Sequence, residues 1–172
     1  MFDSARSALR WSSLMRSILI IDGSSINDMC GKPRISTTND ILHGLSPQEA
    51  QQQAANIFNY VDKLNDPVCS QYLHAKYFFS QSIDGIVQRL MSNIIHAPGG
   101  TSRRDISVIV LAYLGHKITR REMRKKLQCR MTSVAVIEEK VCSAMDAIHY
   151  RAISEFEDKL ICAGLLTKTG KH

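Results

Sequence analysis

An all-α fold follows from three features of this chain of 172 residues. Two Ser/Thr-x-x-Glu boxes of the kind that open helices stand at Ser46 and Thr119, apolar residues recur at three and four, and nothing from Ser46 onward alternates with period two. The expected architecture is a compact helical domain containing a helix-turn-helix, with a long C-terminal helix and a poorly defined N-terminal segment. Its bounds are read as an N-terminal segment, partly irregular, over 1–44, a helical domain over 45–164 with the helix-turn-helix at about 105–140, and a disordered tail over 165–172. A chain of this length can bury one substantial core.

Residues 1–44 are the least regular. A weakly amphipathic piece has Ala5, Leu9, Trp11 and Leu14 as its apolar members, followed by SILIIDGSS and a polar stretch rich in Ser, Thr, Asn and Gly. From Ser46 the pattern sharpens. Ser46 at the N-cap, Pro47 at the first helical position and Glu49 at the third satisfy two orphan amides reciprocally. A helix over about 47–64 follows, with Ala50, Ala54, Ile57, Val61 and Leu64 forming one buried stripe. Asp66 and Pro67 repeat that logic for a helix running to about Phe79. Ser82–His96 is a third helix, with Ile86, Leu90 and Ile94 on one face, and it stops at Pro98-Gly99-Gly100.

Asp105–Leu114 is the next helix, with Ile106, Ile109, Val110 and Tyr113 on one side, and Gly115 breaks it. The box Thr119-Arg120-Arg121-Glu122 opens a short helix through Leu127. After the turn Gln128-Cys129-Arg130, a long periodic segment keeps Val134, Ile137, Val141, Met145, Ile148, Ala152, Phe156 and Leu160 at helical spacing as far as Gly164.

Charge is distributed unevenly over these elements. The window Thr101–Arg130 holds nine Lys/Arg (Arg103, Arg104, Lys117, Arg120, Arg121, Arg124, Lys125, Lys126 and Arg130) against Asp105 and Glu122, a net of +7, whereas the whole chain is +6. Everything outside the window is therefore close to neutral. A positive field focused on one helical element suits a polyanion, since each cation that neutralises a phosphate releases condensed counterions.

The same window has helix-turn-helix spacing. Ile118 and Met123 face inward on the first helix, Leu127 closes it, and Val134 and Ile137 face inward on the second. That leaves Met131, Thr132, Ser133, Ala135, Val136 and Glu139 toward solvent on the second helix, and Arg120, Arg121, Arg124 and Lys125 on the first. The guanidinium forks that read guanine are thus missing from the recognition helix and stand on its neighbour. Phosphate contact is favoured over base readout. The DNA-binding set read from this pattern is Arg103, Arg104, Lys117, Arg120, Arg121, Arg124, Lys125, Lys126, Arg130, Thr132 and Ser133. The bland alternative is a solvated basic face or one that meets an acidic protein.

This layout resembles the short antiterminator Q proteins of lambdoid phages, in the all-helical branch without a zinc finger. The resemblance runs over roughly 46–150: a capped helix followed by DPVCSQYLHAKYFF, an aliphatic helix ending in IVLAYLG, then ITRREMRKKLQCRMTSVAVIEEKVCSAMDAI. Val134, Ile137 and Glu138 also resemble the C-terminal DNA-binding region of sigma factors. The resemblance implies binding to double-stranded DNA near a late promoter, engagement of RNA polymerase and read-through of terminators. Two departures stand against base readout: Arg130 occupies a place where a Ser-like cap is usual, and the exposed face of the recognition helix lacks Arg and Lys.

Other chemistries find little footing. SILIIDGSS could be a strand ending in Asp22, as in a metal-dependent nuclease or a nucleotide-binding sheet, but no second strand with a carboxylate at its end follows. The alternative is a short buried segment docked on the helices. The six histidines fall at no ligand spacing, and the five cysteines are odd in number with no CxxC pair, so neither a metal site nor a disulfide framework is expected. Cys129 reads as a small buried hydrophobe. No nucleophile elbow or P-loop occurs. No catalytic residue, cofactor or metal is expected, and the chain is not read as an enzyme.

The apolar run Ile18–Ile21 is too short to span a bilayer, so no membrane association and a cytoplasmic location are expected, with Met15 as an alternative start. Val141, Met145, Ile148 and Ala152 fit either a seam for a second copy, giving a homodimer, or a helix packed across its own core.

Overall fold

The computed structural model describes residues 2–21, 44–78, 80, 82–94, 102–118, 122, 125 and 131–166. Among them are six helices and no strand: α1 (Ala5–Ile21), α2 (Pro47–Asp62), α3 (Pro67–Tyr77), α4 (Asp84–Ile94), α5 (Arg103–Tyr113) and α6 (Met131–Cys162). The all-α expectation, with its long C-terminal helix, is met. The chain partitions into two compact units, one made of Met1–Lys63 and Glu155–His172, the other of Leu64–Ser154.

In the first unit α1 packs on α2. The N-terminal segment is more regular than its composition suggests, because α1 continues through Ser17–Ile21. The strand considered for SILII is therefore corrected to helix. Its inward face is Ala5, Ala8, Leu9, Ser12 and Met15, which keeps to three- and four-residue steps, with Trp11 also buried. Of the apolar residues of this piece, Leu14 is exposed, while Met15 is buried. The guanidinium of Arg16 lies 3.9 Å from the centre of the Phe58 ring, joining the ends of both helices by a cation–π contact.

α2 begins as its sequence dictates. The Ser46 hydroxyl accepts from the Glu49 amide at 3.3 Å, and the Ser46 amide donates to Glu49 Oε2 at 2.8 Å. Ala50, Ala54, Ile57 and Val61 are buried, as is Leu64 just beyond the helix.

The residues just past α6 pair with Phe2, ahead of α1. Past α6, the Gly164 amide donates to Ile161 O and the Leu165 amide to Leu160 O, with Gly164 at φ +69°. That is a Schellman ending, and the left-handed residue it needs favours glycine. The Phe2 amide then donates to Leu165 O at 3.0 Å, and Phe2 and Leu166 form a single parallel bridge.

In the second unit α3 packs on α4 and α4 on α5. Asp66 caps α3, accepting from the Val68 amide at 2.9 Å, and its carboxylate also receives Arg89 of α4 and Arg151 of α6, each at 3.2 Å. Gln71 of α3 reaches the start of α4, accepting from the Ile86 amide and donating to Ser82 Oγ, both at 3.2 Å. Ile86 and Leu90 are fully buried beneath α4.

α5 starts two residues earlier than its apolar pattern implied. Ser102 and Asp105 form a capping box that the spacing S-x-x-D carries and that periodicity alone overlooks. Ile106, Ile109 and Val110 are buried. Gly115, at φ +98°, ends α5 by the same Schellman pattern, its amide donating to Ala112 O and that of His116 to Leu111 O.

Along α6, Ile137, Val141, Met145, Ile148, Ala152, Phe156 and Leu160 are all buried. The four residues weighed as a dimer seam are thus filled by this chain's own core and are not available to a second copy. The short helix opened by Thr119, with Met123 and Leu127 on it, and the turn at Gln128–Arg130 lie outside the described residues, except that Glu122 and Lys125 are helical.

Candidate nucleic-acid interface

Of the eleven residues read as DNA-binding, four have described side chains: Arg103, Arg104, Lys117 and Lys125, and all four are exposed. Arg120, Arg121, Arg124, Lys126 and Arg130 fall outside the described residues. Thr132 and Ser133 lie in the first turn of α6, with the helix beginning at Met131.

Arg103 and Arg104 are the first two residues of α5, where the helix dipole disfavours cations. Two carboxylates offset this. Asp105 sits at the third position of the helix, accepting from the Ser102 amide at 3.1 Å and from its hydroxyl at 2.7 Å, and is only 1% exposed. Asp84 Oδ1 receives Arg103 Nη2 at 2.6 Å. Both partners of that ion pair are well exposed, so it orients Arg103 more than it stabilises the fold. One of the window's two acids is thus occupied inside a cap, while an acid from outside the window faces its first arginine.

Lys117 stands beyond the other end of α5. Eleven residues at 1.5 Å each separate Arg104 from the Gly115 turn by about 16 Å. Arg103 and Arg104 thus stand at one end of α5 and Lys117 beyond the other, with core residues between them. A strip of that length is on the scale of several phosphate spacings along duplex DNA.

At the start of α6, Ile137 is buried and Ala135, Val136 and Glu139 face solvent, as their spacing predicts. Val136 is 43% exposed. No Lys or Arg occurs among Met131–Glu139, so this face is apolar to acidic.

A polar cluster that the sequence does not reveal lies where α3, α5 and α6 meet. The Tyr72 hydroxyl is 3.0 Å from His149 Nδ1, and the Tyr113 hydroxyl donates to Asp146 Oδ1 at 2.5 Å. Lys76 Nζ lies 5.6 Å from the Tyr113 ring centre and donates to Tyr113 O at 3.4 Å. Burial, with the Asp146 bond next, drives the Tyr113 phenol far above the usual tyrosine range, so it stays protonated. Burial likewise raises the Cys142 thiol, helped by Glu138 and Asp146, which makes it a poor nucleophile. Among the described residues no group of three or more His, Cys, Asp or Glu is placed to hold a metal ion. No described helix is long and apolar enough to cross a membrane.

No family model, curated protein or solved structure matches this chain.

Proposed function

We propose that this chain is a DNA-binding transcription regulator that meets the phosphate backbone through Thr101–Arg130 and, as its resemblance to the phage antiterminators implies, acts on RNA polymerase at a promoter. The observation that carries this reading is the confinement of a +7 charge to thirty residues of a chain whose total is +6. Exposure of Arg104, Lys117 and Lys125 supports it, because cations held in solvent remain available to a polyanion. The absence of Lys and Arg from Met131–Glu139 favours phosphate contact over base readout.

The test is duplex-DNA binding as a function of salt for the wild type and for a variant with Arg120, Arg121, Arg124 and Lys125 replaced by Ala. Four lost phosphate contacts reduce the slope of log K against log salt by roughly 0.9 each, and affinity falls to background. An unchanged affinity and slope in a folded variant rejects the reading.

A second reading rests on Ala135 and Val136, whose exposure at the start of α6 gives a protein partner an apolar foothold. In that reading the basic helix docks on an acidic surface, such as one on polymerase, without DNA affinity of its own. Val136→Glu and Arg124→Ala separate the two. Loss of polymerase retention in the first, in a chain that shows no duplex-DNA binding, favours the adaptor, and loss of DNA binding in the second alone favours the regulator.

A further inference from the structure

α6 buries one face in the chain's own core and leaves the opposite face in solvent. Two of the three large apolar side chains that stand exposed among the described residues are on that outer face, Val136 at 43% and Tyr150 at 70%. They are fourteen residues apart, close to four helical turns, so both fall on one line along the helix. Between them the line passes over Ser143 and Ala147, both exposed and small enough to let another helix come close.

The exposed charges of the stretch from Ala135 to Arg151 divide by sign across that line. At 3.6 residues per turn, Glu139 and Asp146 lie on one side of it and Lys140 and Arg151 on the other. Asp146 uses Oδ1 toward Tyr113, and Arg151 uses Nη1 toward Asp66. Neither bond exhausts its group, since a carboxylate has a second oxygen and a guanidinium further N–H donors.

Such a face is complementary to itself in one direction only. Beside a second copy running the same way, related by a two-fold axis parallel to the helices, each acidic edge meets the other's basic edge. Glu139 then lies level with Lys140 of the second copy, and Asp146 reaches toward its Arg151, as e and g residues do in parallel coiled coils. Antiparallel pairing sets like against like, with Glu139 beside Asp146 of the second copy. Sign therefore selects the parallel arrangement, in which Val136 and Tyr150 each meet their own counterparts. With two acids and two bases, the face offers nothing to a polyanion.

We propose that the outer face of α6 from Val136 to Tyr150 is the seam of a parallel homodimer. This face is opposite the stripe of Val141, Met145, Ile148 and Ala152, which the core occupies. A single helix pair about 21 Å long is at the small end of interface sizes, so the dimer is weak and forms at high concentration.

Sedimentation equilibrium of the full chain, freed of nucleic acid, tests this from about 10 µM to about 500 µM. The wild-type mass should rise from 19.3 kDa toward twice that value. Tyr150→Glu, at an exposed position, should weaken association about tenfold while circular dichroism stays unchanged. Lys140→Glu and Glu139→Lys should each weaken it about 5-fold, and an equimolar mixture of the two should restore it, because opposite charges then pair in the mixed dimer. Tightening by Glu139→Lys, which the antiparallel contact with Asp146 requires, overturns the proposal, as does a dimer indifferent to Tyr150→Glu. A wild type that stays monomeric also overturns it, and if Tyr150→Glu then loses retention of RNA polymerase, the face serves that partner instead.

Discussion

Asp84 Oδ1 lies 2.6 Å from Nη2 of Arg103, so the first cation of the basic window is held by a carboxylate that stands outside it. A solvent-exposed pair of this kind contributes about 0–1 kcal/mol to stability, but it withholds Arg103 from another anion. Asp84→Asn should therefore leave the melting midpoint nearly unchanged while tightening duplex-DNA binding about 2- to 10-fold at low salt, the sense expected when a repelling charge is removed beside a phosphate-binding surface. Arg104→Ala should weaken binding more than Arg103→Ala does. Titrations of the three variants at two salt concentrations check both statements, and weaker binding by Asp84→Asn would contradict them.

The caps beneath the basic residues give a second handle. Ser102→Ala removes the hydroxyl that accepts from the Asp105 amide, which should lower stability by about 1 kcal/mol. Because Arg103 and Arg104 ride on that first turn, DNA binding should fall as well. Thr119→Ala should behave the same way for the segment carrying Arg120–Lys126. Ser46→Ala, at a cap outside the basic window, should lower the melting midpoint by a similar amount and leave DNA binding by the folded fraction intact.

Acid stability has a component at Glu49. Hydrogen bonds from the Ser46 side chain, and next from its backbone, hold the Glu49 carboxyl below the usual glutamate range. A depressed folded-state pKa contributes stability that is present above the unfolded value of about 4.3 and is lost as pH falls through the folded one. Thermal melts from pH 7 to pH 3 should therefore decline less steeply below about pH 4.3 in Glu49→Gln than in the wild type. Parallel acid limbs would remove Glu49 from the account.

Gly85 and Gln71 should couple. A Cβ on Gly85 would lie 2.6 Å from Gln71 Oε1, the atom that accepts from the Ile86 amide. Gly→Ala inside a helix ordinarily gains about 1 kcal/mol, but here it displaces a side chain whose bond is of similar worth. Gly85→Ala alone should leave stability unchanged or lower. In a Gln71→Ala background the same substitution should stabilise by about 1 kcal/mol. A double-mutant cycle by denaturant unfolding measures the difference, and simple additivity would refute the contact.

Local chemistry made much of this fold legible in advance. Ser46, Pro47 and Glu49 start α2, Asp66 and Pro67 start α3, and Gly115 and Gly164 stop α5 and α6, because caps and left-handed stops depend on residues within one turn of each other. The buried stripe of α6 follows from periodicity for the same reason. Periodicity does not say what a stripe packs against. Only tertiary packing decided that Val141, Met145, Ile148 and Ala152 are filled by the chain itself, that SILII continues a helix, and that Met15 lies inside while Leu14 faces out. It likewise decided the partners that give the polar side chains their chemistry. Tyr72 meets His149 across 77 residues and Asp66 meets Arg151 across 85. Such pairs depend on how helices dock, a property of three-dimensional fit that leaves no trace in spacing along the chain. Charge needs no such fit to be read, since it is a sum over residues, and the concentration of cations in Thr101–Arg130 was determined by the sequence alone. Which of those cations already has a partner, as Arg103 has in Asp84, was decided by the fold.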